Sequence, residues 1–215
     1  AMSTLSSGGQ RFEPRLVREI EDLVSRERHP VPQHPVEPLP LKPEQVQVVL
    51  QAMNGVTIGG TSARVFAGAP YLSGGKTGTA QAVGIRQNEK YSAARVAEHL
   101  RDHSLYVAFA PLDKPRIALA VIVENAGWGA AAAAPIARRV FDYVLAGNYP
   151  SVEDIAATQK GQSVAPIGAP RPVDSVALPQ VSGTSVLIGV PGGAAPPQAS
   201  ASSPASDRKS TRLNS

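Results

Sequence analysis

Apolar positions fall first into a helical rhythm, then into strands, then into a helix again. Val46, Val49, Leu50 and Met53 recur at the spacing of one helix face. Pro43 stands where a helix can start, because its missing N–H would be unpaired there anyway, and Gly55 is expected to close the run. Residues 1–7 read as the last turns of a helix closed by Gly8 and Gly9, glycine supplying the left-handed cap. Phe12 to Leu16 reads as short and extended, and residues 17–28 as charged. Six prolines from Pro30 through Pro43 forbid both a regular helix and a central strand, so 29–42 is expected to be an extended surface connection.

From Ala69 the rhythm changes to strand and turn. Residues 71–73 and 76–83 read as a strand around Ser73-Gly74-Gly75-Lys76-Thr77-Gly78-Thr79. Ala93, Val96, Ala97 and Leu100 suggest a helix in the excursion that follows. Leu105 to Ala110 is a second strand, stopped by Pro111, and Asp113-Lys114-Pro115 makes a turn. Arg116 to Val123 is a third strand, near-continuously apolar and therefore expected to be central. Strands joined by so few turn residues are antiparallel neighbours. Ala130 to Leu145 is an alanine-rich helix with Ile136, Val140, Phe141 and Val144 on one face and Gly147 as its cap. The result is an α+β fold: an antiparallel sheet, three strands of which are visible, with a C-terminal helix packed on it.

Composition places a boundary on this pattern. Of 215 residues none is cysteine, and the ten aromatics all lie between Phe12 and Tyr149. Beyond Tyr149 the chain is mostly Ala, Pro, Ser, Gly and Val, with too little apolar surface to offset the entropy of ordering. The expected organisation is therefore a folded part over 1–149, an Ala/Pro/Ser-rich disordered tail over 150–207, and an end over 208–215 whose composition changes abruptly, as in translated adaptor sequence. The absence of cysteine excludes a disulfide scaffold and a cysteine-ligated metal. The net charge of +4 is spread over Arg15, Arg18, Arg26, Arg28, Arg138 and Arg139 and mixed with acidic residues, with no aromatics interleaved. That is a solvated surface rather than a nucleic-acid patch.

Lys76-Thr77-Gly78-Thr79 is the one sharp chemical signal. On a strand, Lys76 and Gly78 point one way, Thr77 and Thr79 the other. One face offers hydroxyl donors beside the positive field of Lys76, and Gly78 lets a ligand backbone lie close to the strand edge. Such an edge suits an extended peptide with a carboxylate, bound by strand addition. A phosphate loop is excluded, because the first glycine of Gly-x4-Gly-Lys-Thr would fall at Pro70. Ser73-Gly74-Gly75-Lys76 spells Ser-x-x-Lys, but that chemistry needs both groups on one helical face. Two glycines argue against a helix, and in a strand residues three apart face oppositely, so Ser73 is not expected to be a nucleophile.

Several blocks together resemble one family. Ala69-Pro70-Tyr71, Gly75 through Gln81, Leu100-Arg101-Asp102-His103, Ala108 through Pro111 and Val123-Glu124-Asn125 are similar, in order and spacing over residues 1–147, to penicillin-binding protein 2. This is the class B, elongation-type family of peptidoglycan D,D-transpeptidases. Gln81 stands where division-type relatives usually carry Arg. The resemblance implies a serine β-lactamase/transpeptidase-like fold and serine acyl transfer without a cofactor or metal. A Ser-x-x-Lys serine attacks the penultimate D-Ala carbonyl of a stem peptide, and an amine on a neighbouring stem takes up the acyl group. It further implies that Lys76 supplies positive potential and aids proton traffic. Thr77, Gly78 and Thr79 would form the binding strand for the substrate or β-lactam carboxylate, with the Thr79 N–H as an oxyanion donor. The implied setting is the periplasmic side of the inner membrane, with a membrane-anchored parent and a shape-determining glycosyltransferase as partner.

The match is partial. The chain has no Ser-x-Asn and no helical Ser-x-x-Lys, elements that in the family lie upstream of the blocks matched here. The expectation is a C-terminal piece of a transpeptidase domain that forms no acyl-enzyme alone. A non-catalytic peptide-binding or sensor module of the same fold is the alternative. His99 and His103, four apart on the expected helix, have a zinc-compatible spacing but no third ligand nearby. Asp102 and His103 are read as positioning the strand that follows, Glu124 and Asn125 as turn residues, and Trp128 as a loop anchor or a solvent-side platform.

Overall fold

The computed structural model describes residues 1–34, 36–84, 91–92, 95–162 and 164–176. Expectations for Ala93 and for residues 177–215, including the changed composition after Asp207, lie outside the described residues.

The first helix, α1 (Met2–Ser6), ends as its glycines require, with Gly8 and Gly9 both at positive φ and the Gly9 N–H returning to the Thr4 carbonyl at 2.8 Å. Charged residues 17–28 are partly ordered as a small hairpin of β1 (Glu19–Glu21) and β2 (Arg28–Pro30). The Asp22 carboxylate accepts the Val24 and Ser25 N–H groups in its turn, and these bonds hold its pKa below the usual carboxylate value. Proline at the end of a two-stranded edge costs no ladder bond, which is why the proline rule missed β2.

The second helix, α2 (Pro43–Ile58), starts at Pro43 and runs through Gly55 to a cap at Gly59. A glycine inside a helix weakens it without stopping it. Its buried side, Val46, Leu50 and Met53, packs with Phe109, Met2, Leu5, Leu112 and Ala118. A short helix, α3 (Ala63–Phe66), follows.

The sheet is antiparallel in the order β3 (Gly74–Ala80), β4 (His103–Ala110), β5 (Ile117–Val123). The apolar β5, expected at the centre, lies outside β4, which is the central strand. Its run is apolar because one face is covered along its length and the other at Ala118, not because both edges are paired; Ala120 and Ile122 on that second face are exposed. Ile117, Leu119, Val121 and Val123 pack on one core and Ala118 on the other.

The helix expected over 93–100 is not formed at its described end, where only a 3-10 turn, Glu98–Leu100, occurs after an extended Ala97. Residues 97–100 are exposed, and a short helix without an apolar face to bury is not stable. His99 therefore sits in this turn and His103 opens β4, so the two do not share a helix face.

The helix that covers the sheet is α4 (Ala133–Ala146), capped by Gly147 at φ 65°. Its buried residues are Ala133, Ala134, Pro135, Ala137, Arg138 and Phe141, whereas Ile136, Val140 and Val144 are exposed. The expected face is thus corrected. Small side chains bring the helix close to the sheet, and Phe141 fills the remaining space with Phe66 and Tyr71.

Residues 151–176 are the largest departure from expectation, since much of this supposed tail is ordered. Ser151 caps α5 (Val152–Gln159) by accepting the Asp154 N–H at 2.9 Å. Asp154, fully buried, pairs with Arg139 of α4 at 2.6 Å, and β6 (Asn148–Tyr149) pairs with β7 (Arg171–Pro172). Polar capping and an ion pair do here what aromatic burial does elsewhere, and an aromatic census does not register them.

Candidate active site

The two glycines before Lys76 are set by the rings of β4. Phe109 lies over Gly74 on one face of the sheet and Tyr106 over Gly75 on the other, and a Cβ on either glycine would collide with the ring or its hydroxyl. Tyr106 is fully buried, its hydroxyl 3.0 Å from that of Ser62. Ser62 gives its own proton to the Val56 carbonyl, so Tyr106 is the donor of the pair. Burial pushes the Tyr106 phenol up to about 12. Two side chains of α2, Asn54 and Thr57, both bond the Ser73 carbonyl at 2.8 Å. β3 is thereby locked to α2 at its start and to β4 along its length.

Ser73 itself is buried, with 2% of its surface exposed, while Lys76 is exposed on the strand and donates from Nζ to the Thr77 carbonyl at 2.7 Å. The two do not meet, so Ser73 has neither the access nor the neighbour of a nucleophile.

Thr77 pairs with Tyr106, Gly78 with Leu105 and Thr79 with Ser104, which sets the two threonines on one face and Lys76 and Gly78 on the other. Thr77 is half-buried, with Oγ1 3.1 Å from Thr61 Oγ1, and Thr79 is exposed. Among the described residues β3 pairs only with β4, so its outer edge is open. Thr61, at the turn before α3, is a hydroxyl neighbour that no motif singles out.

The loop between β5 and α4 passes over this strand. Gly129 lies on the Gly78–Leu105 pair so closely that a Cβ would stand 2.6 Å from the Gly78 carbonyl oxygen and 3.0 Å from its nitrogen. Only glycine fits. The start of β4 holds the loop in place. The Asp102 carbonyl accepts the Gly127 N–H at 2.8 Å, and His103 Nδ1 accepts the Asn125 N–H at 3.0 Å. Ser104 Oγ donates to the Trp128 carbonyl and accepts the Ala133 N–H, both at 3.0 Å. Asn125 adopts φ 59°, the turn conformation expected of it. Asp102 and His103 thus position a loop as well as a strand. Trp128 is anchored through its backbone carbonyl, as the loop-anchor reading expects, while the residue is 77% exposed. Beside Thr79 the ring borders a cleft of about 450 Å³, also lined by Gln81, Tyr91, Asp102 and Gly127.

An exposed lysine and two hydroxyls on an open edge strand, fixed from both faces, make a surface for an extended anionic ligand. Residues 1–142 match the family described as penicillin binding protein transpeptidase domain. The chain belongs to this family. Similar proteins include the peptidoglycan D,D-transpeptidase MrdA of Haemophilus influenzae, 47% identical over 94 residues, covering 44% of this chain and 14% of that protein. MrdA of Acinetobacter baumannii is 52% identical over 75 residues, 35% of this chain and 11% of that protein. The chain therefore spans only a small part of the length of these relatives. Among solved structures, Pseudomonas aeruginosa PBP2 in complex with WCK 5153 aligns with a TM-score of 0.52 and 32% identity, covering 67% of this chain and 28% of that one. PBPA from Mycobacterium tuberculosis aligns with a TM-score of 0.50 and 26% identity, over 67% of this chain and 32% of that one. The expected family resemblance and the α+β transpeptidase fold are both borne out. The family match ends inside α4, so α5 and β7 lie beyond it.

Proposed function

We propose that this penicillin-binding transpeptidase segment supplies the substrate-binding strand of an elongation-type peptidoglycan D,D-transpeptidase. The observation that carries the reading is the pair of threonines, Thr77 and Thr79, sharing one face of an open edge strand beside the exposed Lys76. The carboxylate of a stem peptide, or of a β-lactam antibiotic, meets the two hydroxyls, and the Lys76 ammonium adds attraction at close range. Gly78 keeps that stretch of β3 free of a side chain on the face opposite Gly129. The Thr79 N–H serves as one donor to the oxyanion that forms when a serine attacks the penultimate D-Ala carbonyl. The oxyanion collapses with cleavage of the bond to the terminal D-Ala, which leaves as the free amino acid, and the acyl group then passes from the serine to an amine of a neighbouring stem, closing the cross-link and restoring the serine hydroxyl. The nucleophile comes from a Ser-x-x-Lys element other than Ser73–Lys76, and the parent protein works on the periplasmic side of the inner membrane with a shape-determining glycosyltransferase.

Acylation by a fluorescent penicillin tests this. In the intact protein that carries the segment, Thr79→Val is expected to slow labelling about 10–100-fold, the worth of a lost hydrogen bond to a charged group. The 215-residue chain alone is expected to remain unlabelled. An unchanged rate in Thr79→Val overturns the role of the strand, and covalent labelling of the chain alone puts the nucleophile within it. Peptide binding by the intact protein without any acylation would instead mark a non-catalytic module.

A further inference from the structure

A cavity of about 400 Å³ lies between α4 and the chain that follows it. Its walls are the loop after α3, the Arg138–Asp142 turn of α4, and residues drawn from 148–170, past the end of the family match. A volume of this order suits a small molecule. The charges on the walls cancel, since Arg138 pairs with Asp142 and Arg139 with Asp154. An anion would meet two carboxylates here and a cation two guanidinium groups, so the cavity favours neither.

Hydrogen-bonding capacity nevertheless remains. The Arg138 side chain is only 7% exposed. Its Nε donates to both Asp142 oxygens, and its Nη1 to the Val65 and Ala67 carbonyls. Among the described residues Nη2 has no acceptor, although polar groups this deep are nearly always paired. Nη2 is not one of the fully enclosed unpaired atoms, and the open space beside Arg138 is this cavity. Asn148, half-buried on β6, likewise spends neither end of its side-chain amide on a described residue. Asp142 Oδ2 accepts only from Arg138 Nε and keeps a lone pair.

These groups call for a neutral ligand that donates and accepts at neighbouring atoms, and hydroxyl groups do both. A hydroxyl between Arg138 and Asp142 accepts from the first and donates to the second, and Asn148 serves the next one along. The remaining wall is apolar, with the Tyr149 ring, Pro150 and Pro166, and it suits the C–H face of a saturated ring. We propose that this cavity binds a neutral sugar of one or two pyranose rings, with Arg138, Asp142 and Asn148 on its hydroxyl groups. The inference does not depend on the reading of β3. Because the walls come from both α4 and the chain after it, an occupant also stabilises the docking of α5.

The test titrates the intact protein that carries the segment with cellobiose and with N,N′-diacetylchitobiose, read by ligand-observed NMR. Saturable binding of at least one disaccharide at millimolar concentration is expected, together with slower amide exchange in α5. Asn148→Ala is expected to weaken that binding about 10-fold, the worth of two neutral hydrogen bonds. Arg138→Lys keeps a charge for Asp142 but removes Nη2, and should weaken it at least as much. Failure of both sugars to bind overturns the proposal, as does undiminished binding in Asn148→Ala. Displacement of the sugar by inorganic phosphate would mark an anion site, and displacement by alanyl-proline a peptide site; either result overturns it too. If Arg138→Lys does not fold, Asn148→Ala decides alone, since its side chain has no partner among the described residues to lose.

Discussion

Tyr106 lays its hydroxyl across the backbone of Gly75 and reaches Ser62 beyond it at 3.0 Å. The glycine ahead of Lys76 is therefore a packing requirement of the neighbouring strand. The ring fixes where β3 runs, and β3 fixes where Lys76, Thr77 and Thr79 stand.

Gly75→Ala places a methyl group on the Tyr106 hydroxyl. Either the ring swings away and breaks its bond to Ser62, or β3 lifts off β4. The expected cost is about 1–3 kcal/mol, as for other overpacked positions, read as a lower denaturant midpoint. Removing the hydroxyl in the double variant with Tyr106→Phe relieves part of the clash, so the two costs should sum to less than their separate values. Strict additivity would show that the contact is not what restricts this position.

The same phenol gives the protein an alkaline limit. Burial raises the Tyr106 pKa to about 12, against about 10 in an unfolded chain. Between these values the folded state binds more protons than the unfolded one, so stability falls as pH rises. Its contribution is fully present below pH ~10 and is lost by pH ~12, a decline on the order of 2–3 kcal/mol. Tyr71, raised by burial and by the Asp142 carboxylate that accepts its hydroxyl at 2.7 Å, acts in the same direction. Unfolding free energies of wild type and Tyr106→Phe should converge above pH ~10. Parallel curves would rule this out.

The sequence disclosed the parts of the fold that follow periodicity. The helix opened by Pro43, the strands around Lys76 and Tyr106, and the Gly147 cap all follow from spacing and glycine chemistry. What it concealed depends on partners. The apolar run of Ile117–Val123 is the same whether its edges are paired or its faces are covered, so β5 reads as central while β4 holds that place. On α4 the large residues Ile136, Val140 and Val144 attract attention, yet the alanines face the sheet. At the site, Lys76, Thr77 and Thr79 are legible from one motif. Thr61 and Gly129 are assembled by tertiary contacts, and no local pattern announces them.

Asp154 shows the same limit and gives a third prediction. Its buried carboxylate holds α5 to Arg139 by two bonds, at 2.6 and 2.9 Å, in a stretch without aromatic rings. Asp154→Asn exchanges this charge pair for a neutral contact and should cost about 3–4 kcal/mol, the lower part of the range for broken buried pairs, since Arg139 keeps some access to water. The loss should be local. Amide hydrogen exchange in α5 is expected to accelerate and residues 151–176 to become open to proteolysis, while β4 amides remain protected. Equal acceleration in β4 would mean that this segment and the sheet unfold as one unit.

Gly129 ties the loop to function. A methyl group there would press on both polar atoms of the Gly78 backbone, between the two threonines proposed to bind the carboxylate. Gly129→Ala must raise the loop or displace β3, and a shift of about 1 Å at a reacting group can cost as much as ~100-fold in rate. In the intact transpeptidase the variant is expected to react with fluorescent penicillin at least ~10-fold more slowly, with a smaller proportional change in stability. Gly84→Ala is the control, because a Cβ at Gly84 meets nothing within 4 Å, and it should label at the wild-type rate. If Gly129→Ala also labels at that rate, the loop does not set the position of the binding strand, and the threonines are held by β4 alone.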